Sequence, residues 1–473
     1  MKSKFIILIL ALSATACGDL VDGINQDPNN PTSASYGNIM TGSQVGNIIL
    51  QTGETARRAG IFCGYYTGID RQHLGFSTYS LTTSDFSSLW YDAYVDTYRN
   101  ALETEKSASA EGLEGVTKGI AQTMQALAIG TVASLYGDVP FTEAGRIEIE
   151  NPAYEPQADV YAGVQALLDE AIQNLQTGTD RPAGGADIYF DGDPVKWTQV
   201  ANSLKARYYL HTRNYAGAYD AALKGINSAD NSMLAPHGTG LEESNLTYLF
   251  FAIEVRGADL ITSEFFASLL QSNAAENPIP ENYRGNDKTD ETARYNFYFQ
   301  PSSFGVQPNT VNGFAAQTAS APIVTYAENL LILAEAGLRS QGLSAGLDRL
   351  NDFRAYMNGG GYLTNVDPGQ LKYEAYTTDD FQNGGMENPD GLSPEDALLR
   401  EILQERYVTF FGQIEGFNDT RRTLEATSVR VPVTPNVGSQ LPERFLYPQT
   451  ELDRNANTPN PIPSLFDPTP INQ

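Results

Sequence analysis

Paired helical periodicity is the feature that most limits how this 473-residue chain can fold. Residues 115–136 bring Ile120, Met124, Leu127 and Val132 near one face and end at Gly137-Asp138-Val139-Pro140. Glycine there suits a left-handed cap, and proline cannot extend the helix. Residues 157–175 put Val160, Val164, Leu167, Leu168, Ala171 and Leu175 on one stripe. Pro194 opens a helix with Trp197, Val200, Ala201, Leu204 and Tyr208 inward, and 214–226 follow as a shorter amphipathic segment. Later, 324–339 and 344–357 form a close pair across Ser340-Gln341-Gly342, and 394–411 give another long helix. Ala334, Ala336 and Ala345 stand where paired helices would touch, and small residues permit close approach. The expectation is an all-α fold of tetratricopeptide-like helical-pair repeats, too irregular to keep the strict period of about 34 residues.

Two long insertions interrupt the pairs. Residues 60–89 and 273–317 are rich in Gly, Asn, Tyr and Phe and show no helical period. Loops of that length are functional or disordered, and their aromatics argue against disorder, so they are expected to form a loop-rich ligand-binding lobe. Residues 427–473, rich in Pro and Asn, are expected to wrap the body in extended form.

The amino terminus reads as an export signal. Lys2 and Lys4 precede an apolar stretch, 5–12, that is far shorter than the roughly 20 residues of a membrane-spanning helix. Small residues then lead into Cys17, as in a bacterial lipobox, although Ala14 stands where leucine is usual. An ordinary signal peptide with an A-x-A site at Ala14-Thr15-Ala16 is the alternative. Residues 1–16 are thus expected to be a lipoprotein signal peptide, Cys17 the acylated first mature residue, 17–32 a lipidated tether, and 33–473 the body. Several acyl chains on Cys17 would hold the chain stably at a membrane.

Composition excludes some function classes. The formal charge of −27 becomes −29 once Lys2 and Lys4 leave, which argues against a nucleic-acid partner. Cys63 has no partner but Cys17, so no disulfide framework is available, and three histidines leave little for a histidine-rich metal site. Asp187, Asp191 and Asp193 alternate around a glycine like a calcium loop, but the glutamate such a loop needs is missing. They read better as a turn in which Asp193 caps the helix begun by Pro194.

Taken in order, several motifs resemble the SusD-like (SusD/RagB) outer-membrane lipoproteins of Bacteroidetes. They are NQDPNNPT (25–32), ALAIGTVASLYGDVPFTEA (126–144), NPAYEPQADVYAGVQALLDEAIQNL (151–175), DGDPVKWTQVANSLKARYYL from Asp191, AENLLILAEAG (327–337), GFNDTRRT (416–423) and Tyr447-Pro448. Phe417 departs from the family's tryptophan but can fill the same apolar slot. The resemblance implies capture of oligosaccharides or other polymeric nutrients at the cell surface. It further implies delivery to a SusC-like TonB-dependent β-barrel on which the lipoprotein sits as a lid, with no cofactor and no bond-breaking chemistry.

Sugar recognition needs flat aromatic faces and hydrogen-bonding side chains. The first insertion and the residues after it offer Tyr65, Tyr66, Arg71, His73, Tyr79 and Trp90; the second offers Tyr283, Arg294 and Tyr295, beside Arg284, Phe297 and Tyr298. Tyr66 and Arg71 are the preferred contacts. Arg421 and Arg422, with Asp419, read as structural ion pairs rather than an anion site. A lipid-anchored surface glycoside hydrolase would share the address and the aromatic clefts and is the competing function, but no catalytic motif of known mechanics is present. A structural scaffold that docks other surface proteins is a third.

Overall fold

The computed structural model describes residues 34–272 and 280–473. The signal segment, Cys17 and the tether lie outside the described residues, as do residues 273–279 of the second insertion.

The longer helices are α1 (Tyr36–Thr52), α2 (Glu54–Phe62), α3 (Asn100–Ala110), α4 (Val116–Tyr136), α5 (Gln157–Thr177), α6 (Pro194–His211), α7 (Tyr215–Ala222), α8 (Tyr326–Gln341), α9 (Leu343–Asn358), α10 (Pro394–Thr409) and α11 (Glu415–Arg422). Neighbours in sequence pack as pairs from α4 to α7, and α7 then hands over to α8, which packs on α9 and α10. This is the tetratricopeptide-like architecture read from the periodicity. Close approach of α4 and α5 depends on Gly119, where a Cβ would meet Leu175 Cγ at 2.7 Å and Ala171 O at 2.9 Å. The starts of α6 and α8 carry side-chain caps, that of Asp193 as expected. Asp193 accepts from Val195 N (2.8 Å) at α6, and Thr325 from Glu328 N (3.1 Å) at α8. Asp187 serves as a latch, accepting from Trp197 Nε1 (2.7 Å), Gly192 N (2.8 Å) and Gln44 Nε2 (2.9 Å).

Eight short strands are described, all in antiparallel two-stranded ladders: β1 (Tyr66–Gly68), β2 (Met233–Ala235), β3 (Leu260–Thr262), β4 (Thr289–Asp290), β5 (Phe299–Ser302), β6 (Gly305–Pro308), β7 (Ala321–Val324) and β8 (Lys372–Tyr373). Ladder β1–β3 pairs Tyr66 with Thr262, and ladder β2–β7 pairs Ala235 with Ala321.

One expectation changes, and one helix adds to the expected set. The first insertion is not a long loop: it contains β1, a helix at Arg71–Ser77 and a 3₁₀ turn at Thr83–Phe86 that runs into a helix at Ser87–Tyr91. Each piece is too short to display a period, and each is started by a polar cap, Asp70 for the first and the Thr82/Asp85 box for the second. Helix α1 carries no clear apolar stripe because its buried face is partly polar, with Ser43, Gln44 and Asn47 buried beside Met40 and Leu50. The carboxy-terminal segment does wrap the body. Phe445 N donates to Leu135 O (2.8 Å), Tyr447 Oη to Asp138 O (2.7 Å) and Ile471 N to Gln157 Oε1 (3.0 Å).

Buried ion pairs lock the helices together. Arg207 on α6 clamps Glu328 on α8 (2.6 Å), and His211 meets Glu415 on α11 (2.8 Å). Arg422 on α11 bridges Glu335 on α8 (2.6 Å) and Asp419 (2.8 Å), while Arg406 on α10 takes Asp419 at 2.7 Å. In the second insertion, Arg284 reaches Glu401 and Glu405 on α10 (both 2.9 Å), and Arg294 reaches Glu405 (2.8 Å).

Burial opposes the charge on Glu335, but Arg422 and Arg406 outweigh it and hold the carboxyl at about 2, against 4.5 when exposed. A depressed folded value means that this stabilisation is complete above the unfolded value and is lost as pH falls from about 4.5 towards 2. Glu335→Gln should lower the unfolding free energy at pH 7 by about 3–5 kcal/mol, the cost of leaving one partner of a buried pair. In urea titrations the variant should also show a shallower stability loss than the parent between those pH values.

Candidate functional site

The structure separates the residues singled out in the sequence. Tyr65, Tyr66, His73 and Arg294 are buried, which corrects their assignment as ligand contacts. Tyr65 donates its hydroxyl to Tyr407 O (2.6 Å) and packs on Phe266 and Phe411. Tyr66 sits on β1 between Phe251 and Phe411. His73 is 1 % exposed, lies against Phe76 and Phe250, and finds no hydrogen-bond partner for either ring nitrogen among the described residues. Burial holds its imidazole below the usual range. Arg294 belongs to the ion-pair lattice. In each case a large or charged side chain serves the interior, a use that composition cannot distinguish from binding.

Trp90 is buried too, at 6 % exposed, which corrects its assignment as well; the others keep some accessible surface but do not converge. Arg71 has a 65 % exposed side chain whose guanidinium stands 3.6 Å from Asp259. Tyr79 is half-buried and its hydroxyl accepts from Asn436 N (3.1 Å). Trp90 borders one groove; Tyr283 borders another, open one with Asn286, Asp290 and Lys372. Tyr295 is half-buried against Phe299.

The largest described cavity, ≈ 560 Å³, lies where the helical pair α8–α9 meets the second insertion. Its base is aromatic: Phe297, Tyr298, Phe314 and Phe411, with Tyr356 from the end of α9 and Tyr362 just beyond it. Tyr298 Oη donates to Tyr362 Oη (3.0 Å), which fixes the second ring. The rim is polar and exposed, formed by Asn312, Thr318, Ser320, Thr364 and Asn365. Asn365 adopts a left-handed φ of 57° and donates from Nδ2 to Asn312 O (3.0 Å), so two rim loops are tied to each other. Gln413 donates from Nε2 to Thr409 O (3.1 Å) at the floor, while its buried Oε1 lacks a partner among the described residues. No lysine or arginine lines the cavity, and Asp230 is its one carboxylate among the described residues. Aromatic faces with neutral amides and hydroxyls can hold an uncharged polyhydroxy ligand by stacking and hydrogen bonding. Of the sequence candidates, Phe297 and Tyr298 do reach it. Tyr356 belongs to a helical segment, and Tyr362 and Gln413 follow helix ends, where no local pattern marks them for binding. No group of three or more His, Cys, Asp or Glu among the described residues is placed to hold a metal ion.

The all-α repeat scaffold thus carries an aromatic cavity rimmed by amides and hydroxyls with one carboxylate, Asp230, and comparison with known proteins places the chain further. Residues 28–448 match the profile of the SusD-like family described as "Starch-binding associating with outer membrane", and the chain belongs to that family. A SusD/RagB family protein from Bacteroides thetaiotaomicron superposes with a TM-score of 0.67 at 20% identity, over 90% of this chain and 95% of that one. A SusD homologue from Bacteroides fragilis gives 0.64 at 17% identity, over 93% and 100%. A chitin-binding protein gives 0.64 at 20% identity, over 90% and 95%. No curated protein sequence matches significantly.

The burial pattern makes a prediction about the two preferred contacts. Tyr66→Ala should lower stability by about 3–5 kcal/mol, as large aromatic truncations in a core do. Arg71→Ala should change it by less than about 1 kcal/mol, because its ion pair is solvent-screened. Urea denaturation of the two variants checks both.

Proposed function

We propose that this protein is a lipid-anchored, cell-surface binding protein that captures neutral oligosaccharides and delivers them to a SusC-like TonB-dependent outer-membrane transporter. The observation that carries the reading is the aromatic cavity with its amide and hydroxyl rim of Asn312, Thr318, Ser320, Thr364 and Asn365, where Asp230 is the one charged side chain. Family membership with a starch-binding, outer-membrane description supports the ligand class and the address, and a chitin-binding structural neighbour supports the ligand class again. Among the described residues no helix is long and apolar enough to cross a membrane, which leaves the lipid on Cys17 as the proposed anchor. Residues 17–32, rich in Asp, Asn, Gly and Pro, would let a lid held at the outer face swing above a barrel. Arg71 and Tyr283, which keep accessible surface, remain proposed contacts for the parts of a longer ligand outside the cavity.

The competing reading is a surface glycoside hydrolase. Such an enzyme places two carboxylates across the scissile bond. Three cavities of about 400–560 Å³ are each lined by a single carboxylate, Asp230, Glu451 or Asp290, which favours binding without turnover there.

Calorimetry with malto- and chito-oligosaccharides should detect binding without release of shorter products. Tyr356→Ala should weaken it about tenfold, the worth of one aromatic contact. Accumulating hydrolysis products would overturn the binding reading. Protease treatment of intact cells should degrade the protein, and a large β-barrel should co-purify with it; a protein left intact by the protease would refute the surface assignment.

A further inference from the structure

We propose that a second groove, distinct from the aromatic cavity, is a binding site for acidic, carboxylate-bearing oligosaccharides. This groove of ≈ 400 Å³ is bordered by Trp90, Tyr91 and Tyr94 on one side and by Arg99, Arg146 and Arg454 around them. The three arginines come from separate parts of the chain, yet none forms an ion pair or donates a side-chain hydrogen bond to a described residue. In the same protein Arg207, Arg284, Arg294, Arg406 and Arg422 are all matched to carboxylates. Three unmatched guanidiniums meeting in one groove stand out further in a chain whose formal charge is −27.

The aromatic wall is built by local backbone geometry. Residues Asp92–Arg99 form a π-helical stretch that continues the short helix Ser87–Tyr91. Its wider turn brings positions about four apart into line, so Tyr91, Val95 and Arg99 all border the groove. Trp90 is locked by Tyr94 (centroids 4.6 Å apart) and Tyr136 (5.0 Å), and its indole N–H donates to no described residue. Tyr91 is 54 % exposed, and Ile147, beside Arg146, is 75 % exposed. The groove's one carboxylate, Glu451, is already engaged by Tyr154 Oη (3.1 Å) and Asn455 Nδ2 (3.3 Å).

Flat rings accept the C–H face of a sugar, and guanidinium pairs with a carboxylate through two parallel N–H···O bonds. A uronic acid residue presents both surfaces at once. The aromatic cavity, with no cation on its wall, offers the second partner nowhere.

The test uses the full-length protein and two probes with one backbone: a tetrameric oligogalacturonide and its methyl ester, in which the charge is removed. Calorimetry should show the free acid binding at least about tenfold more tightly than the ester, with an affinity that falls as salt rises from about 50 to about 500 mM. Arg146→Ala/Arg454→Ala should cost at least about tenfold for the acid, and Tyr91→Ala should weaken both probes. All three residues are exposed, so thermal unfolding should be unchanged. Equal binding of acid and ester, undiminished binding by the double arginine variant, or no binding of either probe at millimolar concentration would overturn the proposal. Loss of acid binding in Tyr356→Ala would move the ligand to the aromatic cavity and overturn it too. Neutral-oligosaccharide binding measured in parallel reports on the cavity separately, so the two sites fail independently.

Discussion

The fold depends on charges held where water cannot reach them. Glu335, Asp419, Arg406 and Arg422 connect α8, α10 and α11, and a separate cluster of Arg207, Glu328 and Glu415 ties α6 to α8 and α11. Each ion is costly to desolvate and is tolerable only because its partners surround it. Hydrophobic contact between helices is adaptable, since neighbouring registers bury similar area. A guanidinium matched by two carboxylates is not adaptable, and this fixes which turn of one helix faces which turn of the next.

A similar lattice fastens the second insertion. Arg284 and Arg294 reach from the insertion to Glu401 and Glu405 on α10. The segment around Phe297 and Tyr298 is therefore held by buried charge on one side while its rings face the cavity on the other. The cavity wall is thereby tied to the repeat scaffold, the arrangement that would leave the proposed site little ordering to do on binding.

The two grooves differ in chemistry although both are aromatic. The cavity at the α8–α9 junction is rimmed by amides and hydroxyls, whereas the groove beside Trp90 gathers unmatched arginines. One surface suits uncharged rings and the other suits rings bearing a carboxylate.

The helical pairs, most of their boundaries, the capping of α6 and the family are all legible in linear order, because periodicity, caps and short motifs are local. Of the aromatic residues noted in the second insertion, Phe297 and Tyr298 border the cavity. Which aromatic residues face solvent is settled only by the packed chain. Tyr65, Tyr66 and His73 have the composition of a sugar site but are consumed by packing against Phe250, Phe266, Tyr407 and Phe411, residues far away along the chain. Arg294 has the chemistry of a ligand-binding cation, yet Glu405, distant in sequence, neutralises it. Burial is a property of the whole chain's arrangement, and a side chain's neighbours in space are not written beside it in the sequence.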